Sequence, residues 1–66
     1  MIILPSENEF QILAAKGGGY YWHFKSANHD IVCASQVYTT KQAAIHGAYV
    51  IKNNAADTPV RDYTGA

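Results

Sequence analysis

The side chains that could carry out acid–base or metal chemistry in this sequence are three histidines, and they are widely separated. His23 falls in a predicted strand, His29 in a predicted turn and His46 in a predicted helix. A structural zinc site needs four converging ligands, and none of these histidines has the spacing of a known ligand motif. We therefore predict no metal site and no cofactor, and interpret the three imidazoles as surface groups.

Cys33 is the single thiol of the chain. A nucleophilic cysteine needs a nearby base and a polarising group, whereas its neighbours Ile31, Val32 and Ala34 are apolar. A buried structural thiol is the better interpretation. The aspartates fall in turns or at strand ends, where they usually cap the backbone. The sequence thus predicts no catalytic constellation, and we expect that the protein is not an enzyme.

Length and charge limit the partners of this chain. Its 66 residues include five basic and five acidic side chains, so no net charge attracts a polyanion and nucleic acid is an unfavoured partner. The apolar start at residues 1–4 stops at Pro5, which is too short for a signal peptide or a membrane span. We expect one domain over residues 1–66 with an ordered core at about 9–63, a cytoplasmic location and no membrane contact.

In chain order, the predicted elements that position these residues are three strands followed by a helix. Alternating or aromatic-rich patterns predict three strands, at residues 9–15, 20–27 and 31–37. Three consecutive glycines, Gly17 to Gly19, predict a hairpin turn between the first two strands, because glycine accepts positive φ angles. Asn28-His29-Asp30 predicts the second turn.

A helix is predicted to begin after Thr39-Thr40, which offer an N-cap hydroxyl, and to run from Lys41 to about Asn54. Its inward stripe is built mainly of small residues, namely Ala43, Ala44, Gly47, Ala48, Val50 and Ile51. Such a helix can lie close to a sheet whose inner face supplies the bulk through Tyr20, Trp22 and Phe24. A last short strand is predicted over residues 58–63. It should lie at an edge of the sheet, because Pro59 has no backbone N–H to donate to a neighbouring strand.

Two surfaces of these elements could bind a partner. Tyr21, His23 and Lys25 lie on the strand face away from the core, and aromatics interleaved with a base are typical of a platform for single-stranded nucleic acid. On the helix, Ile45 and Tyr49 lie one turn apart, away from the inward stripe, and predict an apolar interface unless residues 1–4 cover it.

Several fragments, in their order and spacing, resemble the small bacterial YegP-like family, which has no assigned biochemical activity. The matching stretches are Phe10-Gln11-Ile12, residues 19–28, residues 38–44 with Gly47, and residues 52–55. The second turn differs, since the family usually has Asn-Gly there.

The resemblance implies a β-β-β-α-β unit that occurs as a tandem pair or as a single copy that dimerises. Two units would build one continuous sheet and exchange their C-terminal strands, which would place Val60 and Tyr63 in the interface. The sequence therefore predicts an α+β domain, an antiparallel sheet with one helix on one face, that forms a homodimer with swapped C-terminal strands. We expect an interaction or structural module, with single-stranded nucleic-acid binding as the alternative.

Overall fold

The computed structural model of the chain describes residues 7–65 and has an α+β fold. Its antiparallel sheet has the strand order β1-β2-β3. The elements are β1 (Glu9–Ala14), β2 (Tyr20–Lys25), β3 (Ile31–Ala34), the helix α1 (Lys41–Asn54) and a 3-10 turn (Ala55–Asp57). The predicted fold class and the order of three strands and a helix are confirmed.

The β1–β2 hairpin closes through the glycine run as predicted. Gly18 and Gly19 have φ angles of +107° and +88°, and the Ala15 N–H donates to the Gly19 carbonyl at 2.9 Å. Gly19 also lies against Tyr38, whose carbonyl accepts the Tyr20 N–H at 2.8 Å. A Cβ atom at Gly19 would meet that carbonyl oxygen at 2.6 Å. Glycine is therefore required here both by the turn and by this close approach.

Strand β3 is shorter than predicted and ends at Ala34. Its pairing with β2 contains a bulge, since Phe24 lies opposite Cys33 while Lys25 lies opposite Ile31. Val32 is thus an extra residue on β3, and a bulge of this kind bends the strand and interrupts regular pairing. Beyond β3, the sheet continues only as an isolated bridge between Tyr20 and Tyr38.

The second turn places a non-glycine residue in the left-handed region. His29 has a φ angle of +72°, and the turn closes through the Ser26 N–H, which donates to the Asp30 carbonyl at 2.8 Å. This is the turn in which the sequence differs from the Asn-Gly of the resembling family. A residue with a Cβ atom adopts this left-handed conformation at an energetic cost, because the Cβ atom comes too close to the following carbonyl oxygen. Glycine avoids that cost.

The inner face of the sheet packs its aromatic residues against the small residues of α1. Phe10 is edge-to-face with both Trp22 and Phe24, at centroid distances of 5.3 and 5.1 Å. Trp22 is 7% exposed, and Ala44 and Ala48 are buried beside it. Large residues of the sheet therefore face small residues of the helix, as the sequence predicts.

Helix α1 begins as predicted but covers less of the sheet. The Thr40 hydroxyl accepts from the Ala43 N–H at 3.1 Å and caps the first turn. The helix packs on β1 and β2, and not on β3. For this reason Val50, Ile51 and Cys33 are exposed, and the prediction that they would be buried is wrong.

The last strand predicted from the sequence, over residues 58–63, does not form in the structure. The 3-10 turn follows α1, and the Thr58 hydroxyl donates to the Asn54 carbonyl at 2.6 Å. Val60 and Tyr63 are then 99% and 89% exposed. A strand needs a hydrogen-bonding neighbour, and this segment pairs with no strand formed by residues 7–65.

Replacing Gly47 by leucine should destabilise the fold. A Cβ atom there would meet the Tyr38 hydroxyl, and would lie 2.9 Å from Tyr38 Cζ and 3.3 Å from Trp22 Nε1. We expect Gly47→Leu to lower the free energy of unfolding by about 1–3 kcal/mol through overpacking. Urea denaturation measures this, with Asn53→Leu at an exposed helix position as the control. Equal midpoints for both variants would show that the layer is not tight at Gly47.

Replacing His29 tests the left-handed turn. His29→Gly and His29→Ala both remove the imidazole and differ in the backbone freedom of the new residue. We expect the glycine variant to be about 1 kcal/mol more stable than the alanine variant, since only glycine reaches a φ of +72° without a Cβ clash. Denaturation midpoints at one protein concentration measure the difference. An alanine variant of the same stability would contradict the assignment of strain to this turn.

Candidate functional site

The predicted binding row lies on the sheet face opposite the helix. Tyr21, His23 and Lys25 alternate along β2 with the core residues, and each is half-buried in the single chain. Across the strand pair, Leu13 lies opposite Tyr21 and Gln11 lies opposite His23. The structure therefore brings the three predicted residues to one face. Their role in binding stays a prediction.

Hydrogen bonds fix the polar part of this face. His23 Nε2 donates to Gln11 Oε1 at 2.5 Å, and Gln11 Nε2 donates to Glu9 Oε2 at 3.1 Å. This chain of bonds orders the His23 ring and engages the Glu9 carboxylate. The Tyr21 and His23 rings are edge-to-face, with centroids 6.4 Å apart. Two rings in that arrangement do not present a flat platform on which successive bases could stack.

The other candidate groups do not converge. Within residues 7–65, no three His, Cys, Asp or Glu side chains are grouped closely enough to hold a metal ion. Cys33 is exposed on β3, His46 is exposed on α1, and His29 lies in the second turn. None of the helices formed in that part of the chain has the length and apolar character needed to cross a membrane.

Ile45 lies elsewhere than the sequence predicts. It is half-buried and, together with Phe10 and Phe24 of the sheet, lines an opening beside the helix. Ile45 and Tyr49 both line this opening, a cavity of about 500 Å³ between α1 and the strands β1 and β2. We call this the β1-side cavity; its lining includes Phe10, Ile12, Phe24, Ile45, Ala48, Tyr49 and Lys52. The prediction that Ile45 points away from the core is wrong, whereas Tyr49 is 53% exposed. The interface role of the two residues stays a prediction.

The opposite flank of α1 carries a second opening that the sequence did not reveal. We call it the β3-side groove; it has a volume of about 750 Å³, and its lining includes Trp22, Tyr38, Gly47, Val50 and Ile51. The Trp22 indole N–H, next to this groove, has no hydrogen-bond acceptor among residues 7–65. The exposure of Val50 and Ile51 could not be read from helical periodicity, which identifies a shared face but not what covers it.

The C-terminal segment beyond the 3-10 turn is exposed but locally structured at its end. The Thr64 hydroxyl and the Thr64 N–H donate to Asp62 Oδ1 at 2.6 and 2.8 Å. These two hydrogen bonds lower the pKa of Asp62 below its ordinary value, and the bond from the Thr64 hydroxyl has the larger effect. The turn is therefore favoured while Asp62 is ionised and weakens as the pH falls through the lowered pKa. Val60 and Tyr63 stand next to this turn with their side chains in solvent.

Comparison with known proteins identifies the family. The model of a domain of unknown function, DUF1508, matches residues 15–62. The chain belongs to the DUF1508 family. A UPF0339 protein of Neisseria meningitidis serogroup B is 38% identical over 53 residues, which cover 80% of this chain and 95% of that protein. The UPF0339 protein YegP of Escherichia coli K12 is 35% identical over 60 residues, covering 91% of this chain and 54% of YegP.

The family assignment confirms the resemblance drawn from the sequence fragments. A further UPF0339 protein, from Acinetobacter baylyi, is 36% identical over 56 residues, which cover 85% of this chain and 50% of that protein. The UPF0339 relatives thus include a protein that this chain matches over nearly its full length and proteins in which it spans about half the length. The family description states no activity.

The nucleic-acid alternative can be tested at the β2 row. We expect a fluorescently labelled oligothymidine to show no binding to the full chain at low salt, because the chain has no net charge and the row offers one lysine beside two tilted rings. Fluorescence anisotropy measures this. Binding that weakens with salt and is lost in Lys25→Ala, but kept in Lys41→Ala, would favour the alternative instead.

Proposed function

We propose that this DUF1508 chain is a non-catalytic interaction or structural module that functions as a homodimer, in which each copy's C-terminal segment completes the sheet of its partner. The observation that carries the proposal is the exposed segment around Val60 and Tyr63, in a chain whose β3 edge is also open. A single cysteine with no second thiol to pair with supports a reducing, cytoplasmic location.

The size of the core supports a second copy. Among residues 7–65, the buried apolar residues are Trp22, Ala44 and Ala48. The radius of gyration is 14.7 Å, whereas a compact domain of this length has about 11 Å. A chain this short buries only about 60% of its unfolded surface even when it is compact. Oligomerisation is one of the few ways to add burial without disulfides or metals.

The edge of the sheet offers a place for that added burial. Ile31 and Val32 on β3 are 58% and 63% exposed, and β3 is an outer strand of the sheet. Exposed apolar edge strands are templates for pairing with another chain. The β3-side groove on α1 adds further apolar surface, because its Val50 and Ile51 are exposed. A strand added beside β3 would cover the exposed Ile31 and Val32.

The C-terminal segment has the properties needed to supply that strand. It follows a helix whose end is closed by two hydrogen bonds: the Ala55 N–H donates to the Ile51 carbonyl, and the Thr58 hydroxyl donates to the Asn54 carbonyl. Over residues 58–63 it forms no strand with the described part of its own chain, residues 7–65. Exchange of an identical element between two copies requires no new surface to evolve. The existence of relatives about one unit and about two units long further supports a function that needs two units.

The proposal predicts a dimer that depends on Val60. Light scattering of the full chain at micromolar concentration should give about twice the 7.2 kDa mass of one chain. Val60 is 99% exposed in the single chain, so Val60→Asp should not destabilise a monomer but should dissociate an exchanged dimer. Ala27→Asp introduces the same charge at an exposed turn residue and should leave the mass unchanged.

Two outcomes would overturn this proposal. A monomer mass for the unaltered chain would remove the homodimer. A dimer that persists in Val60→Asp with an unchanged denaturation midpoint would show that the C-terminal segment is not in the interface. The midpoint of a dimer also rises with protein concentration, which separates dissociation from local unfolding.

A further inference from the structure

The β1-side cavity has the size and composition of a small-molecule site. Its volume of about 500 Å³ lies within the usual range of such sites, about 300–1,000 Å³. Phe10, Ile12 and Phe24 line it from the sheet, and Ile45 and Ala48 line it from α1. The walls are therefore mainly apolar, and they lie on the flank of the helix away from the proposed dimer edge.

The charged residues of the lining are Lys52, on the helix, and Glu9, at the start of β1. Lys52 lines the cavity, and its Nζ atom lies 5.5 Å from the centroid of the Tyr49 ring. A cation over a tyrosine ring is attracted by the ring face, which favours this position of the ammonium group. The last turn of α1 also favours a lysine, but that effect does not require it to face the cavity.

The other polar residues of the lining are already engaged. Glu9 accepts from Gln11 on the opposite face of the sheet, and Asn8 Oδ1 accepts from the Ala27 N–H at 2.8 Å. No carboxylate among residues 7–65 lies within ion-pair distance of Lys52. The described lining therefore offers apolar walls and one ammonium group without a carboxylate partner.

We propose that the β1-side cavity binds an amphipathic monocarboxylate, such as a free medium-chain fatty acid. The hydrocarbon chain would lie against the phenylalanines and Ile45, where burial of apolar surface is favourable. The carboxylate would accept a charge-assisted hydrogen bond from Lys52 Nζ. This site is separate from the β3-side groove, so it does not depend on the proposed dimer.

Decanoate, below its micelle concentration, is the probe for this site. Titration of the full chain, followed by isothermal calorimetry and by backbone amide NMR shifts, should give saturable binding with shifts at Ile45 and Ala48. Lys52→Met keeps most of the apolar stem and removes the charge. We expect it to weaken decanoate binding by about tenfold, the loss typical of one hydrogen bond to a charged group. Lys41→Met, at the exposed start of the same helix, is the matched control and should bind as the unaltered chain does.

Comparison of probes separates the charge from the apolar walls. Decanol should bind the unaltered chain and Lys52→Met equally, and raised salt should weaken decanoate binding but not decanol binding. Equal decanoate affinity in the unaltered chain and Lys52→Met would overturn the proposal, as would shifts confined to the β2 row of Tyr21, His23 and Lys25. Binding seen only after deletion of residues 2–6 would overturn it for the full chain and identify that apolar segment as the occupant.

Discussion

The fold depends on how closely the helix α1 approaches the single tryptophan of the chain. Gly47 has no side chain at the point where the Tyr38 hydroxyl and the Trp22 indole meet the helix. Ala44 and Ala48 continue this contact and are buried. Because the helix contributes so little volume, the aromatic residues of the sheet supply the bulk of the layer at this contact. A larger residue in this row would separate the two layers and expose Trp22.

This close but narrow contact leaves both flanks of the helix open. A helix lying on two strands through one row of small residues cannot also cover the third strand, and the β3-side groove is the result. On the other flank, Ile45 and Phe24 are among the residues that line the β1-side cavity. Each opening is a place where a short chain could gain buried apolar area. The proposed dimer and the proposed carboxylate site both follow from this packing constraint. They use different residues, so an experiment can refute one proposal without refuting the other.

The parts of the structure that could be predicted from sequence are those whose signals are local. Three consecutive glycines specify a hairpin turn wherever it lies, and Thr40 caps the helix through an amide three residues away. The exposure of Cys33 depends on how far the helix extends across the sheet, which no local pattern reports. Residues 58–63 have strand-like composition, but a strand also needs a neighbour to bond with. Ile45 was misplaced for a related reason, since helical period groups residues by face without fixing which face is covered.

The Trp22 indole shows how small the stabilisation is that this single core contributes. Its N–H has no acceptor among residues 7–65, and a buried donor without a partner costs about 1–3 kcal/mol. Burying a ring of this size contributes about 4–6 kcal/mol, taking 150–250 Å² of surface at about 25 cal/mol per Å². The tryptophan is therefore stabilising on balance, but the margin of a few kcal/mol is small against the conformational entropy that the chain loses on folding. A core built around one such residue needs further burial, and the open β3 edge and the exposed segment around Val60 are the surfaces from which a second copy would supply it.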